Sequence, residues 1–360
     1  MSKTDPLAQN LIDWFHKERA HIPVPGRHEK DPYAIWVAEI MLQQTQVTTV
    51  WPYYRSWMKK YPDVQSLAKA SQDEVLKSWE GLGYYSRARS LHKAAGVVVD
   101  QYGGELPKES IELIKLPGIG PYTAASIASL AFNEVISLID GNVLRVYSRL
   151  ECIEEDISHN QTKDLIRGQL QERISDEAPG TFNQAIMDLG RVICTPKQPS
   201  CLDCPLKSHC SAFRAGTMES YPVKQKKKEV PHYNIVIGLI EKEGLYLIQR
   251  RPEKGLLGGL WEFPGGKVDS GESEQEALVR EIREETSLQV RVKDRIARVN
   301  HAYTHFKITM TAFTCEWVSG EAQTHAATEN TWVKPEQFGD YAFPRANLKV
   351  LEKFLPSGNG

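Results

Sequence analysis

Apolar positions recur at helical spacing through the first half of the chain and at strand-like spacing through the last third. Residues 5–20 place Leu7, Leu11, Ile12, Trp14 and Phe15 on one side, which predicts an amphipathic helix. Residues 21–30 form a loop holding Pro23, Pro25 and Gly26, and Asp31-Pro32 has the form of an N-cap and first helical position. Helical periodicity then runs to about residue 190. Its breaks are Tyr61-Pro62-Asp63, Gly81-Leu82-Gly83, Tyr102-Gly103-Gly104, Leu116-Pro117-Gly118-Ile119-Gly120 and Ala178-Pro179-Gly180. Residues 135–139 are apolar but too short to separate strand from helix. Residues 224–231 are lysine-rich and end in Pro231, which reads as a linker. Beyond it, residues 234–241 and 245–250 predict two strands around Glu243-Gly244, residues 274–286 a helix, residues 289–299 and 307–317 strands, and residues 345–355 a closing helix. The expected organisation is an all-α domain over residues 1–221, a linker over 222–231 and an α+β domain over 232–360.

Composition narrows this picture. The chain has 360 residues, 41% hydrophobic and 25% charged, as expected of two ordinary globular domains. No apolar run approaches the roughly eighteen residues of a membrane span, and the polar start lacks a signal-peptide core. We therefore expect a cytoplasmic protein with no membrane partner. Net charge is −2: residues 1–230 hold 28 basic and 28 acidic side chains, and residues 231–360 hold 16 and 18. Any affinity for phosphate must then come from local patches and backbone N–H groups. Of six cysteines, Cys194, Cys201, Cys204 and Cys210 fall within seventeen residues. Without a secretion signal, that clustering favours metal over disulfides, and four thiolates suit either tetrahedral zinc or a four-iron cluster.

Three further features carry chemistry. The turn Leu116-Pro117-Gly118-Ile119-Gly120-Pro121 feeds a helix whose first N–H groups can hold an anion, though an ordinary helical corner has the same look. Asp140 precedes Gly141-Asn142-Val143-Leu144-Arg145 and reads as an N-cap whose helix end favours its ionised form. Glu39 lies in Ile35-Trp36-Val37-Ala38-Glu39-Ile40-Met41-Leu42, with no polar face available to it. Desolvation there disfavours the charged form and suits a general acid; the plainer reading is a glutamate reaching solvent or an arginine.

Taken together, these motifs resemble the helix-hairpin-helix DNA glycosylases of the endonuclease III and MutY group. The spacing Cys194-x6-Cys201-x2-Cys204-x5-Cys210 is similar to the iron–sulfur loop of that group. The resemblance implies a [4Fe-4S] cluster, with Lys197, Lys207, His209 and Arg214 near DNA phosphates. It makes residues 116–124 the DNA-anchoring hairpin, in which Gly118 and Gly120 approach phosphate, often through a bound monovalent cation. Where strand-cutting members carry a Schiff-base lysine, this chain has Tyr122, which implies hydrolysis alone. The string Glu39-Ile40-Met41-Leu42-Gln43-Gln44-Thr45 looks like the MutY subfamily, which removes adenine mispaired with 8-oxoguanine. The resemblance gives Glu39 the proton transfer, Asp140 stabilisation of the sugar cation or covalent intermediate, and Tyr122 and Asn142 supporting positions. It makes Gln44 a minor-groove wedge beside the flipped base, and Leu82 and Tyr84 probes of the stack next to 8-oxoguanine. The plainer reading of Leu82 is core packing. Arg27 matches an arginine lining the adenine pocket, but Gly26 stands where the subfamily shows tryptophan.

The C-terminal region resembles a Nudix box, Gly266-x5-Glu272-x7-Arg280-Glu281-Ile282-Arg283-Glu284-Glu285, with Ser287 where the box expects glycine. Glu281, Glu284 and Glu285 share a helix face that suits Mg²⁺ on a diphosphate. In the MutY subfamily such a domain reads 8-oxoguanine, through a loop that Tyr303-Thr304-His305 matches here. The expected fold is thus an all-α helix-hairpin-helix glycosylase domain with an iron–sulfur loop, joined to an α+β Nudix-like domain. The expected function is a monomeric adenine glycosylase acting on A:8-oxoguanine or A:G pairs in double-stranded DNA. The competing readings are a glycosylase fused to an active nucleotide diphosphatase, and a non-catalytic lesion-binding protein.

Overall fold

A computed structural model describes residues 5–18, 21, 23–27, 29–225 and 229–355. The linker lysines 226–228 and the last two positions of the first expected helix lie outside the described residues. In chain order the helices are α1 Pro6–Glu18, α2 Pro32–Leu42, α3 Val47–Lys60, α4 Val64–Lys69, α5 Gln72–Ser78, α6 Ser86–Tyr102 and α7 Ser110–Leu113. They continue as α8 Pro121–Phe132, α9 Gly141–Glu151, α10 Asn160–Gln171, α11 Pro179–Val192, α12 Ser211–Ala215, α13 Glu274–Thr286 and α14 Arg345–Phe354. The strands are β1 His232–Lys242, β2 Leu245–Arg250, β3 Trp261–Glu262, β4 Gly265–Lys267, β5 Gln289–Ala302, β6 Lys307–Ser319 and β7 Glu329–Val333. The chain divides into two units, Met1–Lys69 with Ser90–Lys227 and Ala70–Arg89 with Lys228–Gly360.

The first unit is helical. Leu7, Leu11 and Phe15 of α1 share a core with Val146, Tyr147 and Leu150 of α9 and Phe182 and Ile186 of α11. Helix α2 is buried from Tyr33 to Met41, so it is apolar all round rather than amphipathic, as a helix enclosed by its neighbours must be. Asp31 caps α2, its carboxylate accepting from the Tyr33 N–H, and Pro32 opens the first turn. Residues 135–139 form no strand. Side-chain amides replace a ladder partner: Asn183 bonds the Leu138 N–H and the Ile136 carbonyl, and Gln171 accepts from the Ser137 N–H.

The second unit is built on a mixed sheet in the order β3-β2-β1-β6-β5, with β4 on β1 and β7 on β2. Strands β1 and β6 run parallel, and the other pairs are antiparallel. Leu278 and Ile282 of α13 pack with Val236 and Phe313 on one apolar cluster, and Ala346 and Val350 of α14 with Phe263 and Met310 on another. The expected strands and helices are all present. Strands β3, β4 and β7 carried too few residues for a readable period.

Residues 70–89, read from the sequence as part of the helical domain, fold with this sheet. Glu80 accepts from the Phe343 N–H at 2.8 Å, Lys77 donates to the Tyr341 carbonyl at 2.9 Å, and Asp73 pairs with Arg250 at 2.6 Å. Helix α5 starts with a capping box between Ser71 and Glu74.

Candidate active site

Glu39 is the one charged residue of α2 and is 1% exposed. Two side chains satisfy it: Tyr122 donates its hydroxyl to Oε2 at 2.7 Å, and Arg27 donates Nε to Oε1 at 3.2 Å. Glu39 thus reaches an arginine while staying out of solvent. Tyr122 stands in the first turn of α8, directly after the hairpin, which explains how that turn places it. Burial, and then the Glu39 charge, pushes the phenol well above its ordinary value, so it keeps its proton and donates.

Asp140 is the N-cap of α9, accepting from the Asn142 N–H at 2.8 Å and the Val143 N–H at 2.7 Å, while Asn142 Nδ2 donates to its second oxygen at 2.9 Å. The helix end alone does not set its charge. Burial raises its carboxyl above the ordinary aspartate value, and the Val143 and Asn142 hydrogen bonds pull it back. Arg145, one turn on, donates to Asn142 Oδ1 at 2.9 Å, the Gly190 carbonyl at 2.6 Å and the Cys194 carbonyl at 2.8 Å.

Arg27, Tyr122, Asp140 and Asn142 line one cavity of about 390 Å³, within the roughly 300–1,000 Å³ of small-molecule sites. Asp188 of α11 lines it too and was not singled out from the sequence. Its signal would have been a polar stripe at helical spacing, Gln184, Asp188 and Arg191, on an otherwise buried helix. The resulting charge set is three carboxylates, Glu39, Asp140 and Asp188, around Arg27. Burial alone would lower the guanidinium, but Glu39, Tyr122 and Asp188 more than offset it and hold it charged.

The hairpin places Gly118 at φ +78°, where an added Cβ would lie 2.5 Å from Ser90 Cβ, so only glycine fits. Gly120 caps α8 without a side chain, leaving the helix N-terminus to backbone N–H groups. Gln44 is exposed at φ +55°, just past α2. In the second unit Tyr84 is 41% exposed at φ +49° and its hydroxyl meets Thr304 Oγ1. Thr304 and His305 are exposed, whereas Tyr303 packs between His301 and Phe306. Leu82 is 6% exposed, as the packing reading requires.

Cys194, Cys201, Cys204 and Cys210 line one small cavity together with Arg149. Arg149, 2% exposed, donates to Cys194 Sγ at 3.3 Å and to the carbonyls of Thr195, Pro196, Met218 and Tyr221. Among the described residues no group of three or more His, Cys, Asp or Glu side chains is placed to hold a single metal ion.

In the Nudix-like box, Arg280 binds Glu272, Glu281 and Glu284, while Glu285 accepts from Gln249 at 2.8 Å and the Gly265 N–H at 3.1 Å. Burial lifts the Glu285 carboxyl to about 7. Ser287 keeps the left-handed C-cap at φ +61°, so the missing glycine does not undo the turn.

A hairpin-linked pair of helices beside a buried carboxylate pair is the arrangement of a base-excision glycosylase. The family of HhH-GPD superfamily base excision DNA repair proteins matches residues 37–174, and the NUDIX domain family matches residues 235–353. Adenine DNA glycosylases of Rattus norvegicus and Homo sapiens are 34% and 33% identical, across 96% of this chain and 77% and 73% of theirs. A thermostable thymine-DNA glycosylase structure is 27% identical with a TM-score of 0.53, covering 58% of this chain and 95% of that one. A trapped endonuclease III–DNA intermediate, 24% identical at a TM-score of 0.50, covers the same shares and bears on the fold alone. The chain belongs to the adenine DNA glycosylase family. It is a base-excision repair enzyme, a DNA N-glycosylase, whose substrate is DNA.

Proposed function

We propose that the chain hydrolyses the N-glycosidic bond of adenine mispaired with 8-oxoguanine, or with guanine, in double-stranded DNA. The observation that carries this reading is Glu39, buried and held by Tyr122 and Arg27 beside a cavity that Asp140 lines. Glu39 gives a proton to a ring nitrogen of the flipped adenine, the C1′–N9 electrons leave with the base, and Asp140 offsets the sugar cation. Water then adds to C1′ and its proton returns to a carboxylate. With Tyr122 at the position just past the hairpin, no amine forms a Schiff base, so release of the base leaves the strand intact. Single-turnover adenine release from A:8-oxoguanine and A:G duplexes tests this. No release by the wild type, or undiminished release by Glu39→Gln, overturns it.

Cys194, Cys201, Cys204 and Cys210 are the residues that would hold a [4Fe-4S] cluster in this reading, with Arg149 beside them. Four sulfurs around one cavity with a buried cation beside them fit an anionic thiolate-bound group. The cluster when bound supplies a covalent staple for the loop. Gly118 and Gly120 offer backbone N–H groups to DNA phosphate, a monovalent or divalent cation at the hairpin would be held by oxygen atoms and add positive charge there, and Gln44 fills the space of the flipped base. Tyr84, Thr304 and His305 read 8-oxoguanine; their exposure and the Tyr84–Thr304 contact support one reading surface. Occupation of the box carboxylates by Arg280, Gln249 and Gly265 supports a reader over a diphosphatase. We infer a monomer working at cytoplasmic DNA.

A further inference from the structure

One buried carboxylate beside Glu39 has no role in that scheme. The Asp188 side chain is 3% exposed. Its Oδ1 accepts from Arg27 Nη1 at 3.5 Å and from Arg191 Nε at 3.4 Å. Arg27 is thereby shared between two acids, because its Nε meets Glu39 Oε1 at 3.2 Å. The rest of Arg27 is also held by α11: Met187 Sδ accepts from Nη2 at 3.4 Å, and Gln184 Nε2 donates to the Arg27 carbonyl at 3.2 Å. Gln184, Met187 and Asp188 are spaced i, i+3 and i+4, so one stripe of this helix grips one arginine. A guanidinium carries its donors in a rigid planar fork. Fixing Nη1 on Asp188 therefore fixes where Nε points. The residue before Arg27 contributes no side chain to this, since it is Gly26.

We propose that Asp188 is a positioning residue for adenine release: it holds the Arg27 guanidinium between two acids, so that Glu39 shares this cation rather than taking it alone. This rests on the reading of Glu39 as the general acid. The charged and titratable groups around Glu39 are Arg27 from the loop before α2, Tyr122 from α8, Asp140 from α9, and Asp188 and Arg191 from α11. Removing the Asp188 charge leaves Arg27 undivided for Glu39 and favours the ionised acid. Removing Arg191 leaves Asp188 less neutralised and favours the protonated acid.

The test is the pH profile of single-turnover adenine release from an A:8-oxoguanine duplex, with duplex affinity measured beside it. For Asp188→Asn the alkaline limb is expected to move down by about one pH unit, so release at alkaline pH falls about tenfold while affinity changes less than about twofold. Asp188→Glu, which keeps the charge, is expected to bring the limb back toward the wild type. Arg191→Gln is expected to move it up, and its side chain is 32% exposed, so this variant still reports if Asp188→Asn does not fold. A wild-type limb in Asp188→Asn, whether or not the whole curve is scaled down, overturns the proposal. So does an unmoved or lowered limb in Arg191→Gln. Glu39→Gln separates the two ideas: retained release sinks the reading of Glu39 itself. Lost release with unmoved limbs in the other variants sinks the proposal for Asp188 alone.

Discussion

Tyr122 and Glu39, 83 positions apart, meet through a hydroxyl-to-carboxylate hydrogen bond of 2.7 Å. Tyr122→Phe removes the donor and leaves a buried carboxylate oxygen short of one partner. An ordinary hydrogen bond contributes about 0.5–1.5 kcal/mol, and losing the one that orients Glu39 should slow single-turnover adenine release by roughly three- to tenfold. Duplex affinity, measured by electrophoretic mobility shift, should change little. A rate within twofold of the wild type would show the hydroxyl to be idle.

Gly26 sits at φ +70° with no room beside it: an ideal Cβ lies 2.5 Å from Ala38 Cβ and 2.9 Å from the Ala34 carbonyl oxygen. Those two residues belong to α2, the helix that carries Glu39. Gly26→Ala therefore combines left-handed strain with a clash against backbone and should cost about 2–4 kcal/mol. Thermal melting should show the loss, and adenine release should fall with it because Arg27 follows directly. An unchanged melting temperature would mean that the loop re-routes freely. Gly26→Trp, which restores the residue usual in the subfamily, should be worse, since this backbone has no space for any side chain there.

Much of the site could be read from the sequence because local rules place it. Glu39 stands out as a lone charge in an apolar helix, Asp140 as a cap before a helix, and the four cysteines by spacing. Asp188 could not be found that way. Its meaning comes from Arg27, 161 positions away, and α11 presents an Asp-x2-Arg that looks like any helical ion pair. Arg145 likewise resembles an exposed helix arginine until the Cys194 carbonyl is seen against it. Residues 70–89 carry ordinary helical periodicity, and nothing local marks that their partners are Phe343, Tyr341 and Arg250. Residues 135–139 are too short for their pattern to separate strand from helix; the amides of Asn183 and Gln171 bond them in place of a ladder partner.

Arg145 ties the cap of α9 to the cysteine loop. Its guanidinium serves Asn142 Oδ1, the Gly190 carbonyl and the Cys194 carbonyl at 2.6–2.9 Å. Arg145→Gln can satisfy at most part of this set. The expected result is a loss of about 2–4 kcal/mol, slower adenine release through Asn142 and Asp140 and, if the cysteine loop holds the proposed cluster, less iron in the purified protein. Iron analysis and release assays on the same preparation check it. Full iron content with undiminished release would refute the coupling.

Glu285 makes the second unit sensitive to pH. Its carboxyl is lifted to about 7 by burial, against an ordinary glutamate value of 4.5. The folded state therefore binds this proton more tightly than the unfolded chain. Stability linked to this group is greatest below pH ~4.5 and is lost as pH rises through about 7, by about 3 kcal/mol in all. Glu285→Gln keeps an amide for the site and removes the titration. Relative to the wild type, the variant should gain stability progressively between those pH values in chemical denaturation. A constant difference across that range would refute the assignment.

Thr304 and Tyr84 join two segments of the second unit through their hydroxyls, and both are exposed at the surface. If this pair reads 8-oxoguanine, losing one hydroxyl should affect the lesion more than the normal base. Thr304→Ala removes one recognition hydrogen bond and unpins Tyr84, whereas Thr304→Ser keeps the hydroxyl. We expect Thr304→Ala to slow release from A:8-oxoguanine by about tenfold, from one lost hydrogen bond of about 1 kcal/mol or somewhat more, and to leave A:G within about twofold. Thr304→Ser should stay close to the wild type on both duplexes. Equal losses on both would assign Thr304 to folding rather than reading, and no loss on either would remove it from the reading surface.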